Sequence, residues 1–505
     1  MEGGIATGLM SALTLVNLGY ALVGCLLGTI VGVLPGLGPS SAMSILLPVA
    51  VHLPPEGAII IMAGIYYGAM YGGSTTAILI NIPGEVSSVV TAIDGFAMTR
   101  NGRAGEALAI AGIGSFIAGI AGTIAIALLG PLVADIALKF GPQEYLGLVI
   151  FSMVALIGFA GDQPLKGLTL AILGMFLATL GADPLTGTQR LTYGTVELSK
   201  GLDIVPVLVG LFGIGEVLMA LHQNVSKVFT GNLGRWTTMI PRGLELARGI
   251  AASVRGTLLG FGLGLLPGML PAVTAYLAYD MEKRSAAEPT RFGKGAIEGV
   301  AAPEAANNAT AMAGFIPLLS LGIPTSPALA IMLGTLMING LTPGPMLFEQ
   351  QSQLVWTVIG SMFIANAMLL ILNLPLVGIW ARLSVVPYSI MAPVVLAVCV
   401  VGAYAPRNTM FDVWVAIAFG VIGFVMRRLA MPLTPLVLGF LLGPLFEQSL
   451  RQSMSMSGGS FLHLVNRPIA IAFLGAAVIV LVIVAVMKRR SAAIKTLMHD
   501  SAAET

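Results

Sequence analysis

The sequence Gly28-Thr-Ile-Val-Gly-Val-Leu-Pro-Gly-Leu-Gly-Pro39 interrupts an apolar stretch, and it has a counterpart at Gly260-Phe-Gly-Leu-Gly-Leu-Leu-Pro-Gly-Met-Leu-Pro271. The two share a Leu-Pro-Gly-x-x-Pro core, which occupies Leu34–Pro39 in the first and Leu266–Pro271 in the second. Proline lacks the backbone donor that a helix needs, and glycine permits a left-handed conformation, so neither core can continue a helix. We therefore expect two broken helices, with the scaffold residues Pro35, Gly36, Pro39, Pro267, Gly268 and Pro271.

The composition around these breaks is typical of a membrane protein. Of the 505 residues, 56% are hydrophobic and 10% are charged, whereas an ordinary soluble domain carries about 25% charged residues. A helix needs about 20 apolar residues to cross the hydrocarbon core, and apolar stretches of this length recur along the chain among shorter ones. The sequence therefore predicts an all-α polytopic membrane protein of about 10–12 transmembrane helices, with two repeats that contain broken or re-entrant helices.

A second pair of motifs lies downstream of the breaks, in the same order. Asn81-Ile-Pro-Gly84 resembles Gly322-Ile-Pro-Thr325 at a separation of 241 residues (324 − 83), close to the 232 (267 − 35) that separates the breaks. A stretch of small and polar residues precedes each motif, at Gly72–Thr76 in the first and at Asn307–Thr310 in the second. Two paired motifs at nearly constant separation indicate an internal duplication.

The middle one of three polar connections, 223–248, is the predicted boundary between the two repeats. The predicted divisions are an N-terminal transmembrane half at 1–222, this connecting loop, a C-terminal transmembrane half at 249–487 and a tail at 488–505. Lys488-Arg-Arg490 directly follows the last apolar segment. Because lysine and arginine beside a span favour the cytoplasmic side, we expect a cytoplasmic C-terminus.

The breaks and the polar stretches near them form the predicted transport site. Irregular backbone at membrane depth is tolerated only where it is buried in protein or lines a watery cavity, and broken segments at corresponding places in two repeats mark transporter sites. Hydroxyl and amide groups there can donate to a carboxylate and coordinate Na⁺. The alternative is plain hydrogen bonding between helices, which small polar residues commonly make in membranes. The predicted substrate-binding residues are Ser74, Thr75, Thr76, Asn81, Pro83, Gly84, Asn307, Asn308, Thr310, Pro324, Thr325 and Ser326.

Glu304 is the predicted ion-coupling residue, because it lies in an otherwise apolar or small-residue stretch. An acid inside a membrane segment is a functional candidate by default. The sequence leaves three roles open for it, which are to take a coupling proton, to bind Na⁺ or to form a structural pair. The histidines and cysteines show no metal-ligand spacing, and no Gly-x-x-x-x-Gly-Lys-Ser/Thr loop is present. We therefore expect no metal site and no cofactor, with Na⁺ as one candidate coupling ion.

At these residues the chain resembles the large membrane subunit of tripartite tricarboxylate transporters, the TctA family. The resemblance is most specific in the run Phe292-Gly-Lys-Gly-Ala-Ile-Glu-Gly-Val-Ala-Ala-Pro-Glu-Ala-Ala-Asn-Asn-Ala309. It extends over nearly the whole chain, through Gly28–Pro39, Tyr71–Glu85, Asp94-Gly95, Gly322–Pro324 and Leu341-Thr-Pro-Gly-Pro345. Thr325-Ser326 departs from the family pattern, which leads us to expect Gly-Ser after Gly-Ile-Pro.

The resemblance implies a secondary uptake system in the inner membrane of a bacterium. A periplasmic solute-binding protein would deliver a carboxylate, such as citrate or a related di- or monocarboxylate, to this large translocating subunit. A small four-span membrane subunit would accompany it, and a Na⁺ or H⁺ gradient would drive import without ATP. The substrate, the coupling ion and the relation of the repeats, inverted or parallel, stay open.

An intramembrane enzyme and a channel are the rival classes. The zinc-protease motif His-Glu-x-x-His is absent, and Gly161-Asp162 lacks the Gly-x-Gly-Asp pattern of an intramembrane aspartyl protease and comes in the wrong order relative to Tyr279-Asp280. Two broken repeats in one chain suit alternating access better than a continuous pore. We therefore expect a transporter without enzymatic activity.

Overall fold

The structure is a computed structural model that describes residues 4–34, 37–159, 164–183, 185–223, 239–383, 388–460 and 466–503. Two of the predicted scaffold residues, Pro35 and Gly36, lie outside the described residues. So do Asp162 and most of the predicted connecting loop, at 224–238.

Helices make up most of the described chain, which confirms the all-α prediction. The helices before residue 160 are α1 (Ile5–Ala12), α2 (Leu15–Gly32), α3 (Pro39–Val51), α4 (Pro55–Ile80), α5 (Ser88–Arg100), α6 (Ala104–Ala137) and α7 (Pro142–Phe159). Next come α8 (Pro164–Ala178), the paired strands β1 (Gly181–Ala182) and β2 (Gln189–Arg190), α9 (Val196–Ser199), α10 (Ile204–Leu208), a π-helical segment (Val209–Ile214), α11 (Gly215–Gln223), α12 (Leu244–Gly264) and α13 (Pro271–Ser285). After a 3₁₀ turn (Pro289–Arg291) follow α14 (Glu298–Ala313), α15 (Phe315–Leu321), α16 (Pro327–Ile338), α17 (Pro345–Gln350), α18 (Ser352–Asn373), α19 (Val377–Leu383), α20 (Tyr388–Tyr404), α21 (Met410–Arg428), α22 (Leu433–Met456) and α23 (Pro468–Ala503).

Within the described residues, seven helices are long and apolar enough to cross a membrane. They are Leu15–Gly32, Ala104–Ala137, Ile204–Leu221, Ser352–Asn373, Met410–Arg428, Leu433–Met456 and Pro468–Val486. Five shorter apolar helices of 10–17 residues accompany them. The chain is thus a multi-pass α-helical membrane protein, and the predicted total of about 10–12 spans depends on how many of the shorter helices cross.

Both predicted breaks interrupt a helix. The first lies between Gly32, the end of α2, and Pro39, the start of α3, and the second lies between Gly264, the end of α12, and Pro271, the start of α13. Proline suits the first position of a helix, where its missing N–H has no intrahelical partner to lose. Within the second break Gly268 has a φ of 81°, which glycine adopts without strain. The Leu-Pro-Gly-x-x-Pro cores therefore end one helix and begin the next.

The helix before each break packs closely against the next long helix. Three glycines, one turn apart on α2, touch the backbone of α4 so closely that a Cβ would overlap a carbonyl oxygen, and three glycines on α12 touch α14 in the same way. Such glycines let two helices approach closely in a membrane. The contacting pairs are Gly24 with Ile61, Gly28 with Ile65, Gly32 with Ala69, Gly256 with Ala302, Gly260 with Ala306 and Gly264 with Thr310.

These two helix pairs correspond residue by residue. The corresponding glycines are 232 positions apart, as Gly28 and Gly260 are, and their partners are 241 positions apart, as Ile65 and Ala306 are. The same two separations relate the sequence motifs. In both pairs the residue numbers rise together along the two helices, so the helices of a pair run parallel. The packing therefore supports the predicted duplication.

Helices α4 and α15 end in the same way. Each is followed by a residue with positive φ, Asn81 in the first repeat and Gly322 in the second. In each, the N–H of the residue after it bonds to the carbonyl six residues back. These bonds join Ile82 to Thr76 at 3.4 Å and Ile323 to Pro317 at 3.1 Å.

The two repeats run in opposite directions. Helix α14 continues into α15 through Gly314, whose backbone is helical. Helix α4 contacts this continuous segment in the opposite sense, because Ser74 reaches Glu304 whereas Tyr66 reaches Phe315. Since α2 is parallel to α4 and α12 is parallel to α14, the first repeat is inverted relative to the second. The sequence left this relation open.

The chain packs as two compact units. One holds α1–α6 and α10–α21, and the other holds α7–α9, both strands, α22, α23 and Pro267–Met269. The long helices of both repeats lie in the first unit. The predicted halves, at 1–222 and 249–487, rest on the sequence repeat and stay a prediction. Helix α23 continues through the predicted tail as far as Ala503.

In the second unit an ion-pair cluster fastens the β-hairpin. The Oδ2 atom of Asp183 accepts from Arg190 and, at 2.9 Å, from Arg451. Its Oδ1 atom accepts from the backbone N–H groups of Leu185 at 2.8 Å and Thr186 at 3.1 Å. The Arg190 guanidinium, together with these other donors, holds the pKa of the Asp183 carboxyl well below its usual range.

Candidate functional site

Glu304 lies in α14 and is 1% exposed. Its carboxyl group accepts four hydrogen bonds, all of them from neutral side chains. Oε2 accepts from Ser74 at 2.7 Å and from Thr91 at 3.1 Å. Oε1 accepts from Ser115 at 3.1 Å and from Asn308 at 3.3 Å. These four donors match the acceptor capacity of an ionised carboxylate.

The donors come from four different helices. Ser74 belongs to α4, Thr91 to α5 and Ser115 to α6, while Asn308 lies one turn beyond Glu304 on α14. Asn308 also donates to Ser115 at 2.9 Å and to the Glu304 carbonyl at 3.0 Å, which connects the donors to each other. Residues from the N-terminal and C-terminal parts of the chain thus surround one carboxyl group.

Among the described residues, no cationic side chain forms an ion pair with Glu304, and its four hydrogen-bond donors are neutral. A buried charge is costly unless it is paired, and this holds more strongly inside a membrane. A proton would neutralise the carboxyl group, and carboxylate and hydroxyl oxygens are also the ligands that hard cations take in proteins. The arrangement can therefore hold one positive charge, as H⁺ or as Na⁺.

Asn307 joins α14 to the loop that follows α4. Its amide nitrogen donates to Glu85 Oε1 at 2.9 Å. Its amide oxygen is buried and has no hydrogen-bond partner among the described residues. Glu85 thus brings a second carboxyl group to this part of the molecule, through the residue adjacent to Asn308.

The loop of the second repeat lies against the long helix of the first repeat in the equivalent way. Ser326 lies 241 positions after Glu85, and Tyr66 lies 241 positions before Asn307. The Ser326 and Tyr66 hydroxyl groups lie near each other, and Ser326 also caps α16 by accepting from the Leu329 N–H at 3.3 Å. The loop after α4 and the loop before α16 therefore each lie beside the long helix of the other repeat.

The other predicted residues of the first repeat lie at the end of α4. Thr75 and Thr76 are buried in its last turns, and Asn81 is exposed where it ends. Pro83 and the buried Gly84 belong to the loop that follows. These residues therefore lie at the end of α4 or in the loop that follows it, and none of them hydrogen-bonds Glu304.

In the second repeat, Thr310 lies apart from the Glu304 cluster. Its hydroxyl group hydrogen-bonds the Gly260 carbonyl at 3.0 Å and the Thr274 hydroxyl at 2.7 Å. These bonds fasten α14 to α12 and α13, which is the interhelical alternative that the sequence left open. Pro324 and Thr325 are buried in the loop before α16.

The two polar stretches do not occupy corresponding positions, contrary to the prediction. At the separation of 241, Ser74 corresponds to Phe315, and Asn308 corresponds to Tyr67. The prediction paired the stretches by composition, whereas the helix packing fixes which residues correspond. Ser74 and Asn308 nevertheless meet, because both donate to Glu304 from antiparallel helices.

A further buried carboxyl group holds the loop before α14. Asp94, on α5, is 0% exposed, and its Oδ2 atom accepts from the Tyr279 hydroxyl at 2.9 Å. Its Oδ1 atom accepts from the backbone N–H groups of Gly293, Gly295 and Ala296 at 2.7–2.9 Å. Charge-assisted bonds of this kind are about twice as strong as neutral ones. Asp94 therefore fixes the path of the chain into the helix that carries Glu304.

Sequence reasoning missed Thr91, Ser115, Glu85 and Tyr66. Thr91 and Ser115 are single hydroxyl groups in mostly apolar helices, and no local pattern marks them. Glu85 closes the quoted motif and could have been noticed as an acid beside a break. Tyr66 becomes visible only when the repeats are aligned at the separation of 241, which places it opposite Asn307.

Comparison with known proteins agrees with this architecture. A family model described as the tripartite tricarboxylate transporter TctA family matches residues 18–438. The chain is 42% identical over 496 residues to the "Uncharacterized 52.8 kDa protein in TAR-I ttuC' 3'region" of Agrobacterium vitis, with 98% of each chain covered. It is 41% identical over 238 residues to the "Uncharacterized protein in TAR-II ttuC' 3'region" of the same organism, with 47% of this chain and 98% of that one covered. No solved structure matches the chain. Because the family match spans most of the sequence and includes both breaks and Glu304, this multi-pass membrane protein belongs to the tripartite tricarboxylate transporter TctA family.

Proposed function

We propose that this chain is the large translocating membrane subunit of a secondary transporter that imports a carboxylate delivered by a solute-binding protein. Membership of the TctA family supports a role in tripartite transport. The observation that carries the mechanism is the buried Glu304 carboxyl group, which accepts hydrogen bonds only from neutral donors. A carboxyl group in this environment binds and releases one positive charge during a transport cycle.

A gradient of Na⁺ or H⁺ drives import through this group. With the ion bound, Glu304 and its donors form a neutral cluster that can cross between two states at low cost. With the ion released, the carboxylate depends on all four donors. Since three donors come from α4–α6 and one from α14, any movement of one repeat against the other changes this shell. Ion binding and alternating access are thereby linked.

The substrate binds beside the re-entrant loops, at 81–87 and 322–326. Broken segments at corresponding places in inverted repeats supply the binding sites of many transporters. The hydroxyl and amide groups predicted from sequence lie along α4, along α14 and in these loops. Neutral donors suit a carboxylate that must be bound and then released, since a buried arginine would hold it too tightly. The substrate is citrate or a related di- or monocarboxylate.

The proposed partners are a small four-span membrane subunit and a periplasmic solute-binding protein, in the inner membrane of a bacterium. Arg427 and Arg428 end α21, and Lys488–Arg490 lie two helices later. Two crossings return the chain to the same side, and the positive-inside rule puts both groups in the cytoplasm. The C-terminus is therefore cytoplasmic.

The test is uptake of labelled citrate and succinate into proteoliposomes that contain the whole complex, with the Na⁺ and H⁺ gradients varied separately. We expect the wild type to accumulate one of these anions only while one ion gradient is present. Glu304→Gln should abolish accumulation but retain exchange of external for internal substrate. Glutamine fits the site because its amide oxygen can accept from Ser115 and Asn308, while its nitrogen donates to the Ser74 hydroxyl.

The matched control is Glu288→Gln, which removes an exposed acid near the start of the same repeat segment and should accumulate substrate like the wild type. Gradient-driven accumulation by Glu304→Gln at the wild-type level would remove Glu304 from the coupling mechanism. Absence of carboxylate uptake by the wild-type complex under every gradient would refute the proposed function itself.

A further inference from the structure

Two buried tyrosine hydroxyl groups on α4 have no hydrogen-bond partner among the described residues. They belong to Tyr67, which is 2% exposed, and Tyr71, which is 5% exposed. A buried hydroxyl group without a partner costs about 1–3 kcal/mol in proteins, and buried tyrosines usually find one. Two such groups one helical turn apart, on a helix that lines the candidate site, indicate that a bound molecule supplies the missing acceptor.

The repeat relation shows what kind of site these tyrosines occupy. Tyr67 corresponds to Asn308, the amide that donates to Glu304, and Ala63 corresponds to Glu304 itself. The first repeat therefore keeps donors at this position and has no acid for them. A donor group without its own carboxylate is suited to receive one from outside.

The Tyr67 ring is held in place by packing against other aromatic rings. Tyr67 contacts Tyr66 with ring centroids 5.9 Å apart and Phe315 with ring centroids 5.8 Å apart. Tyr66 in turn lies near Ser326 in the loop before α16. The position of the Tyr67 ring thus depends on both repeats, so movement of one repeat against the other would shift its hydroxyl group.

Glu304 lies close to Tyr71. Tyr71 lies three residues before Ser74, which donates to Glu304, so its side chain lies on the same face of α4, near the Glu304 carboxyl. A substrate carboxylate at the tyrosines would therefore be repelled by an ionised Glu304 and accepted beside a neutralised one.

We propose that the hydroxyl groups of Tyr67 and Tyr71 receive a carboxylate group of the transported substrate, and that this subsite accepts the anion only when Glu304 carries its coupling ion. This assignment rests on the proposed function and adds the order of binding, ion first and substrate second. It also separates the two ligands, since Ser74, Thr91, Ser115 and Asn308 hold the ion while the tyrosines hold the anion.

The test uses Tyr67→Phe and Tyr71→Phe in the assembled complex, with labelled uptake of whichever anion, citrate or succinate, the wild type accumulates. Phenylalanine keeps the ring and its packing and removes only the hydroxyl group. A hydrogen bond to a charged group is worth a factor of about ten or more in binding. We therefore expect the KM of each variant to rise about tenfold. Tyr276→Phe, which changes an exposed tyrosine on α13, should leave KM unchanged.

Thermal unfolding without substrate separates a binding role from a structural one. A hydroxyl group that awaits a ligand contributes nothing to the unliganded protein, so both variants should unfold at or above the wild-type temperature. The same anion should then raise their unfolding temperature less than it raises that of the wild type. A lower unfolding temperature in the absence of substrate, with an unchanged KM, would assign the tyrosines to packing and overturn the proposal.

The order of binding has its own readout. In the wild type the stabilisation by the anion should require the coupling ion, and in Glu304→Gln it should be independent of that ion. If the wild type takes up the anion but Tyr67→Phe and Tyr71→Phe keep KM within twofold of it, the subsite is wrong and the transport function stands. If the anion stabilises wild type equally with and without the ion, the ordered scheme is wrong.

Discussion

The close packing of α12 against α14 in the second repeat can be tested by adding a single methyl group. Gly260 on α12 is buried against Ala306 on α14, and a Cβ added there would lie 2.6 Å from the Ala306 Cα and would overlap its carbonyl oxygen. Gly262, two residues later, is exposed and has nothing within 4 Å of the added Cβ. Gly260→Ala and Gly262→Ala therefore make the same chemical change on one helix, with and without overlap.

The expected magnitudes follow from these distances. Carbon atoms pack comfortably at about 3.5–4.0 Å, so the two helices must separate by about 1 Å to admit the new methyl group. Overpacking costs about 1–3 kcal/mol, and the upper end applies because the overlapping atoms are rigid backbone. Replacing glycine by alanine within a helix returns about 1 kcal/mol. Gly260→Ala should thus lose about 2 kcal/mol, and Gly262→Ala should gain up to about 1 kcal/mol.

The assay is thermal unfolding in detergent, followed by a thiol-reactive dye. Both cysteines, Cys25 and Cys399, are free and buried, so the dye reacts as the protein unfolds. Gly260→Ala should unfold several degrees below Gly262→Ala and should lose uptake, because Ala306 lies between Glu304 and Asn308 and moves them with it. Equal unfolding temperatures for the two variants would refute the close approach of α12 and α14.

Two further changes test contacts that the structure singles out. Asp94→Asn removes the charge that holds three backbone N–H groups before α14. We expect the free energy of unfolding to fall by about 2–3 kcal/mol and tryptic cleavage between residues 283 and 291 to become faster. The control is Asp280→Asn, which changes a half-buried acid in a surface ion pair and should leave the stability unchanged. Asp183→Asn should lower the unfolding temperature at neutral pH. Because Arg190 lowers the folded-state pKa of Asp183, its stabilisation is complete above the unfolded-state pKa of about 3.9 and is lost as the pH falls through the lower folded-state pKa. The difference between wild type and Asp183→Asn should therefore be constant from about pH 5 to 8 and shrink below about pH 4, and a difference that grows in acid would contradict this assignment.

The sequence predicted those parts of the fold that depend on local backbone chemistry. Proline at Pro39 and Pro271 suits the first position of a helix, and glycine at Gly268 tolerates the positive φ of the break, so both interruptions were visible without any tertiary information. The direction of the repeats was not visible in this way. It depends on which residues of α4 touch α14 and α15, and contacts between helices leave no periodic signal when nearly every position is apolar.

The candidate site was predicted in part for the same reason. Glu304 stands out because an acid is rare among apolar residues, and Ser74 and Asn308 stood out as members of polar clusters. Thr91 and Ser115 are isolated hydroxyl groups, which satisfy a backbone carbonyl as readily as a ligand, so only their position beside Glu304 distinguishes them. Thr310 shows the reverse case, since it belonged to a polar cluster but its hydroxyl group bonds α12 and α13.

In the proposed scheme, the differences between the inverted repeats let a symmetric scaffold couple two unlike ligands. Identical repeats would place a glutamate at position 63 as well as at 304, and the membrane would then contain two equivalent carboxyl groups that each need a cation. The chain has Ala63 instead, and it has Tyr67 where the second repeat has Asn308. One position thus keeps an acid surrounded by donors, which suits a cation, while its counterpart keeps donors without an acid, which suits an anion. Because both positions lie on helices that contact each other, neutralising the acid changes the electrostatic cost of filling the other position, and in the proposed scheme this difference in cost couples the ion to the carboxylate.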